Sequence, residues 1–359
     1  MHRTFAAALL LFAAFVVAPA LGQSAPGETE CGCKDLEELM KQHKVASILR
    51  QRYLEKADKL TIDLPRQLRN TGHIAQITAL DEYIAWKKST MPGGLLEGLP
   101  PVKRGPPEYN MDPRICDLSE SDKAKIETFE DCKAIADADF AHEQHHRDRC
   151  VTLKAAYSAY PPALDELARE EAEAYGIQAE MLRYATADVL ARRASLIYDF
   201  VYEVTGSDVY VLASINGRTT GAGAGQSVIP SQLAYAESNL SGTLVTFPAK
   251  VHFTHGTSGG GCDWQMDPYD LTGRFHLFIT EQDVKFRYDW PMATYRASIK
   301  CALIHTYTSR VESSPAMASG LLEEIVLKDR ATTTSEWKQE ESGTTFHSYA
   351  KVTLACKAN

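Results

Sequence analysis

The sequence has 359 residues, eight cysteines and a formal net charge of −9, with its cationic residues scattered rather than gathered into a block. An acidic chain of this kind argues against nucleic acid and against anionic membranes as charge-matched partners. Its length predicts about two domains, each large enough for a core of its own.

The chain opens with His2 and Arg3, an apolar run from Phe5 to Val17, and then Ala18-Pro19-Ala20-Leu21-Gly22-Gln23, with small residues where a signal peptidase cuts. This predicts a secretory signal peptide over residues 1–22 and an exported protein, secreted or periplasmic. The alternative is a membrane anchor, but the run falls short of the ~20 residues a spanning helix needs. No second run of that kind follows, so no membrane insertion is expected after cleavage. All eight cysteines (Cys31, Cys33, Cys116, Cys132, Cys150, Cys262, Cys301 and Cys356) lie beyond the cleavage point, which predicts disulfides. Five precede residue 200 and three follow it, so if all are paired at least one bridge joins the two halves.

From residue 23 to about 203 the pattern is helical. Leu36, Leu39, Met40, Val45, Ile48, Leu49, Tyr53 and Leu54 recur at three-to-four spacing between Asp35 and Leu60. Asp81 to Lys88 reads as another short helix. Residues 91–115 are dense in Pro and Gly and break the pattern. Ser119 and Ser121 are plausible N-caps for a helix that runs through residues 123–157 and ends at Tyr160-Pro161-Pro162. A second long helical pattern runs from Ala163 to Phe200.

Beyond Val204 the segments VYVLASI, GTLVTFPAKVHFTH, GRFHLFIT, VKFRYDW, IKCALIHTYTS and TFHSYAKVTLAC are rich in β-branched and aromatic residues, with turn residues between them. They predict a mostly antiparallel β domain over 204–359, with one helix-like interruption from Ala316 to Lys328. The expected class is α+β: a helical domain followed by a β-rich domain, stapled by disulfides. Gly256 to Cys262 and Thr219 to Gly225 read as mobile hairpin connections. His252 and His255 fall on opposite faces of a strand.

The chemistry lies in His142-Glu143-Gln144-His145-His146, an H-E-x-x-H sequence inside a helical pattern. On a helix the two histidines at i and i+4 share one face and reach one metal ion, and Glu143 points to nearly the same side, placed to take a proton from a metal-activated water. His145 points about a third of a turn away. Arg147 and Asp148 give the motif a charged flank, which predicts an open helix surface. A catalytic zinc needs a third protein ligand and an open fourth position. The following helix offers Glu170, Glu171 and Glu173. Glu171 shares a face with Leu164, Leu167, Tyr175 and Gln178 and is the preferred ligand, with Glu170 next; Glu170 and Glu173 fall on a more polar face with Glu166 and Arg169. The plain alternative is that all three are solvated surface acids. Cys150, four residues after His146, could ligate zinc, but a disulfide to Cys31 or Cys33 is preferred.

HEQHH, a short connection and then REEAEAYGIQAEMLR resemble the zinc-binding core of the gluzincin metallopeptidases, over roughly residues 130–185. The resemblance implies a zincin-like helical domain with one zinc per chain, held by His142, His146 and Glu171. It implies Glu143 as general base for a zinc-activated water that attacks the carbonyl of a protein or peptide substrate. Tyr157, Tyr160 and Tyr175 are the tyrosines near enough in sequence to stabilise an oxyanion. Three functions therefore compete: an exported zinc metallopeptidase, a secreted binding or adhesion protein whose H-E-x-x-H helix is structural or binds metal without turnover, and another metal-dependent hydrolase or toxin-like effector.

Overall fold

A computed structural model describes residues 30–63, 97–103, 132–159, 164–235, 238–259, 261–289, 293–301, 304–313 and 325–357. The expected signal peptide, the helix expected from Asp81 to Lys88, most of the Pro/Gly segment and the caps expected at Ser119 and Ser121 lie outside the described residues.

Three helices come first. α1 spans Leu36–Asp63, α2 spans Lys133–Ala159 and α3 spans Leu164–Arg193. α1 follows a short 3-10 turn at Cys33–Asp35, where the buried Asp35 carboxylate accepts the Gly32 N–H at 2.8 Å and anchors the entry to the helix. α2 stops at Ala159. The Pro161-Pro162 pair then bars further helix, since proline lacks the amide hydrogen and clashes with the preceding turn. α3 is the central helix, with α1 and α2 both packed against it. Between α1 and α3 lies a core of Val45, Leu49, Tyr53, Ala57, Leu167, Ala168, Ala172 and Tyr175. Most of the periodic apolar residues read from α1 are in this core or the main one, and Leu54 is the one left on the surface.

α3 runs into the sheet with no intervening loop. β1 spans Ala194–Thr205, so the helical pattern expected to continue to Phe200 ends at Arg193. The reason is tertiary: residues 194–205 pair along their length with the C-terminal strand on one side, and residues 197–205 pair with the next strand on the other. β-branched and aromatic residues at Ile197, Tyr198, Phe200, Val201, Tyr202 and Val204 suit that setting better than a helix. The remaining strands are β2 (Val209–Thr219), β3 (Gln226–Tyr235), β4 (Ser238–Gly259), β5 (Cys262–Met266), β6 (Tyr269–Ile279), β7 (Val284–Asp289), β8 (Ala293–Cys301), β9 (Ile304–Ser313), β10 (Thr332–Glu341) and β11 (Thr344–Cys356).

Every pairing is antiparallel, and the sheet runs β10-β11-β1-β2-β4-β5-β8-β9, with β3 and β6 also paired to β4 and β7 paired to β6. The 22-residue β4 is the spine: residues 249–253 carry β2 on one edge and β6 on the other. This branching curls the sheet. Its inner face holds Tyr198, Phe247, Phe275, Phe286 and Tyr288, with Tyr198 and Phe275 in edge-to-face contact at 6.1 Å. Leu182, Val189 and Leu190 of α3 belong to the same core. The chain is thus α+β, and its helices and sheet share a core. The segment expected to be helical from Ala316 has no helix at its described end, where the Ile325 N–H donates to the Val284 carbonyl at 2.7 Å beside β7.

The Gly-rich connection from Thr219 to Gly225 is tied down rather than loose. The N–H groups of Gly225 and Gly223 donate to the carbonyls of Ala191 and Ala194, and that of Lys357 donates to Arg193. Carbonyls at the C-terminus of α3, which have no partner inside the helix, are satisfied this way. Gly223 has φ +75°, and a Cβ there would lie 2.1 Å from the Arg192 carbonyl oxygen.

Among the described residues three disulfides staple the fold: Cys31–Cys132, Cys33–Cys356 and Cys262–Cys301. The second joins the N-terminal half to the last strand, the cross-half link that the cysteine arithmetic demands. Cys150 does not bond to Cys31 or Cys33, both of which have other partners. Cys132 immediately precedes α2, whereas Cys150 lies about 27 Å further along the helix axis. Cys116 and the side chain of Cys150 lie outside the described residues. Among the described residues no helix is long and apolar enough to cross a membrane.

Candidate metal centre

α2 and α3 are antiparallel, as the residues that meet between them show: Asp139 with Gln178, His142 with Tyr175, and His146 with Glu170 and Glu171. The Cys31–Cys132 bridge fixes the start of α2 ten residues before His142. One turn before His142, the Gln178 amide donates to the buried Asp139 carboxylate at 2.6 Å, a link that sets the register of the two helices.

His142 is buried at 2 % exposure and His146 is partly open. Their Nε2 atoms lie 3.3 Å apart. The Glu171 carboxylate, reaching across from α3, comes within 3.8 Å of His146 Nε2. The donor atoms of His142, His146 and Glu171 all lie within 4.8 Å of one another. A zinc–nitrogen bond of about 2.05 Å in a tetrahedral site separates two ligand atoms by roughly 3.3 Å. The spacing of the two histidines is therefore what a shared ion requires, and a small movement of Glu171 would complete the set. These three residues could hold a metal ion.

Glu143 is buried, with Oε1 3.8 Å from His142 Nε2, on the side where the ligand atoms converge. Around this centre lie Glu143, Glu170 and Glu171, a concentration of carboxylate that a divalent cation would balance. His145 is partly buried, with Nε2 3.4 Å from Glu173, and it contributes no atom to the cluster.

The chain matches no protein-family model and no curated protein sequence.

Glu170 departs from its expected place on a polar face. It is buried, its Oε1 accepts from His146 Nδ1 at 3.2 Å, and its Oε2 faces Arg149 Nε at 3.2 Å. A helical wheel puts Glu170 beside Glu166 and Arg169, but α2 covers that side of α3 at this level. Arg147 and Asp148 are exposed, as a charged flank suggests, while Arg149 turns inward to Glu170 and Glu173. Tyr175 also lies at the site: its ring meets His142 edge-on with centroids 4.4 Å apart and stacks on Tyr53 at 5.7 Å. At 2 % exposure it packs behind the first histidine. Tyr160 and the side chain of Tyr157 lie outside the described residues.

Three further histidines among the described residues are occupied elsewhere. His252 bonds Asp270 on the exposed face of β4, and His255 packs on Trp264. His276 sits between Thr246 and Asp289.

Proposed function

We propose that this protein is an exported zinc metallopeptidase of gluzincin type, its helical layer serving as a zincin-like catalytic unit. The observation that carries the reading is the convergence of His142, His146 and Glu171 from two helices with Glu143 beside them. Export is supported by the signal-like N-terminus and by three disulfides, which belong to an oxidising compartment.

His142 and His146 would bind the ion through Nε2 and Glu171 through a carboxylate oxygen. An ion held by these residues would supply Lewis acidity for activating water and polarising a peptide carbonyl. Glu143 would take a proton from the attacking water and return it to the departing amine. Burial suits Glu143 to this work, because it keeps competing solvent from the carboxylate. The partner in this reading is a protein or peptide substrate.

Glu143→Gln separates this reading from that of a secreted binding protein with a structural metal helix. The variant is expected to retain its zinc and to lose peptide hydrolysis by at least a hundredfold. A zinc-loaded wild-type protein that cleaves neither casein nor a mixed peptide library, or a Glu143→Gln variant as active as wild type, would overturn the proposal.

A further inference from the structure

We propose that Glu170, held by Arg149, is the positioning residue of His146: it fixes the proton on Nδ1 and so presents Nε2 as a bare donor to the metal. The inference rests on the metal-site reading above and concerns a residue that does not itself touch the ion.

Two consecutive carboxylates on α3 grip one imidazole. Glu170 Oε1 lies 3.2 Å from Nδ1, and Glu171 Oε1 lies 3.8 Å from Nε2. Successive residues on a helix point about 100° apart, and the antiparallel packing of α2 on α3 lets this pair straddle the ring. A carboxylate accepts hydrogen bonds and cannot donate them when ionised, so the contact with Glu170 demands N–H at Nδ1. In the neutral ring Nε2 is then the lone-pair nitrogen, and it is the atom 3.3 Å from His142 Nε2, facing the centre of the donor set.

Glu170 is committed to this task at both oxygens. Oε2 lies 3.2 Å from Arg149 Nε, and the side chain is only 7 % exposed. Arg149 follows His146 by three residues, so both project from the same side of α2 toward α3. Its second contact, from Nη1 to Glu173 at 3.4 Å, places the guanidinium between two acids. An arginine so placed keeps the Glu170 carboxylate aimed at the ring. The chain Arg149–Glu170–His146 thus sets the tautomer before any metal arrives. Groups in this outer position typically carry 10- to 100-fold in metal affinity.

The test has a metal-free arm and a metal arm. In the metal-free protein at about pH 8, where a free histidine is neutral, the ring ¹⁵N shifts of His146 are expected to report Nδ1–H in wild type and a mixed tautomer in Glu170→Gln. A wild-type ring protonated at Nε2 would overturn the proposal whatever the protein does with zinc. In the metal arm, chelator competition is expected to show one zinc per chain in wild type and in Glu170→Gln, with affinity about 10- to 100-fold lower in the variant. The cobalt-substituted visible spectrum should be unchanged in Glu170→Gln and altered or lost in Glu171→Gln. The reverse pattern, with cobalt bands disturbed by Glu170→Gln and intact in Glu171→Gln, would make Glu170 the ligand and overturn the proposal alone. Loss of folding stability in Glu170→Gln without change in tautomer or zinc affinity would reduce the contact to packing and also overturn it. A wild-type protein that binds no zinc would instead overturn the metal-site reading.

Discussion

Tyr175 meets His142 edge-on, its ring centroid 4.4 Å from that of the imidazole, and its other side stacks on Tyr53 of α1. One aromatic side chain therefore connects all three helices at His142, the first proposed metal ligand. Removing it should loosen the ligand as well as the core. Tyr175→Ala is expected to lower unfolding free energy by about 3–5 kcal/mol, as for other large aromatic truncations. Zinc affinity should fall in the same variant, measured at a temperature where it is still folded.

The Cys33–Cys356 bridge closes the longest loop of the three, spanning a sequence separation of 323 residues. It holds the start of α1 to the end of β11, and so the helical layer to the sheet. Cys33→Ser/Cys356→Ser is expected to lose about 2–5 kcal/mol in urea unfolding. The metal centre should survive in the folded fraction, because α2 keeps its own tether at Cys31–Cys132.

Gly223 occupies a left-handed backbone conformation against the end of α3. A methyl group there has no room, since the obstacle is the Arg192 carbonyl rather than a pliable side chain. Gly223→Ala is expected to destabilise the fold by roughly 2–4 kcal/mol, whereas Gly221→Ala, which meets nothing within 4 Å, should have little effect. Thermal unfolding of the two variants side by side checks this.

His43 is buried on α1 with Nδ1 2.9 Å from the Ala179 carbonyl of α3 and Nε2 2.8 Å from the Thr280 carbonyl after β6. Burial pushes its pKa below the usual histidine value, outweighing the two carbonyls and Glu281, which favour the charged ring; Arg183 adds to the lowering. The unfolded chain then takes up a proton at a higher pH than the folded one. The contribution of the neutral ring is present above about pH 6.5 and is lost as the pH falls below that value, by at most about 1.4 kcal/mol per pH unit. His43→Gln should flatten the difference in stability between pH 7.5 and 5.5. A steeper dependence in the variant would show that the two carbonyls win and that the ring is held protonated.

Much of the architecture is visible in residue spacing. The α1 stripe, the stop before Pro161 and the strands from VYVLASI to TFHSYAKVTLAC follow local rules of periodicity and turn chemistry. β1 escapes them because Ala194–Thr205 continues an Ala- and Arg-rich helical run, and only pairing with β11 and β2 gives it an extended form. β10, whose TTTSEWKQEE sequence has no buried face, becomes a strand through its partner β11. At the candidate site, the i, i+4 histidines and Glu171 are legible because one helix face is a local property. Glu170 is not, since its burial depends on where α2 crosses α3. A signal for it does exist in the sequence: Arg149 falls one turn beyond His146, a cation on the ligand face that calls for an acid opposite.

The central claim is that His142, His146 and Glu171 form a zinc site, and the most direct measurement is the zinc content of untagged mature protein made in an oxidising compartment. Close to one zinc per chain is expected, lost in His146→Ala while the variant keeps its fold and its disulfides. A well-folded wild-type protein with no zinc after equilibration with the metal, or a zinc content that His146→Ala leaves unchanged, would contradict it.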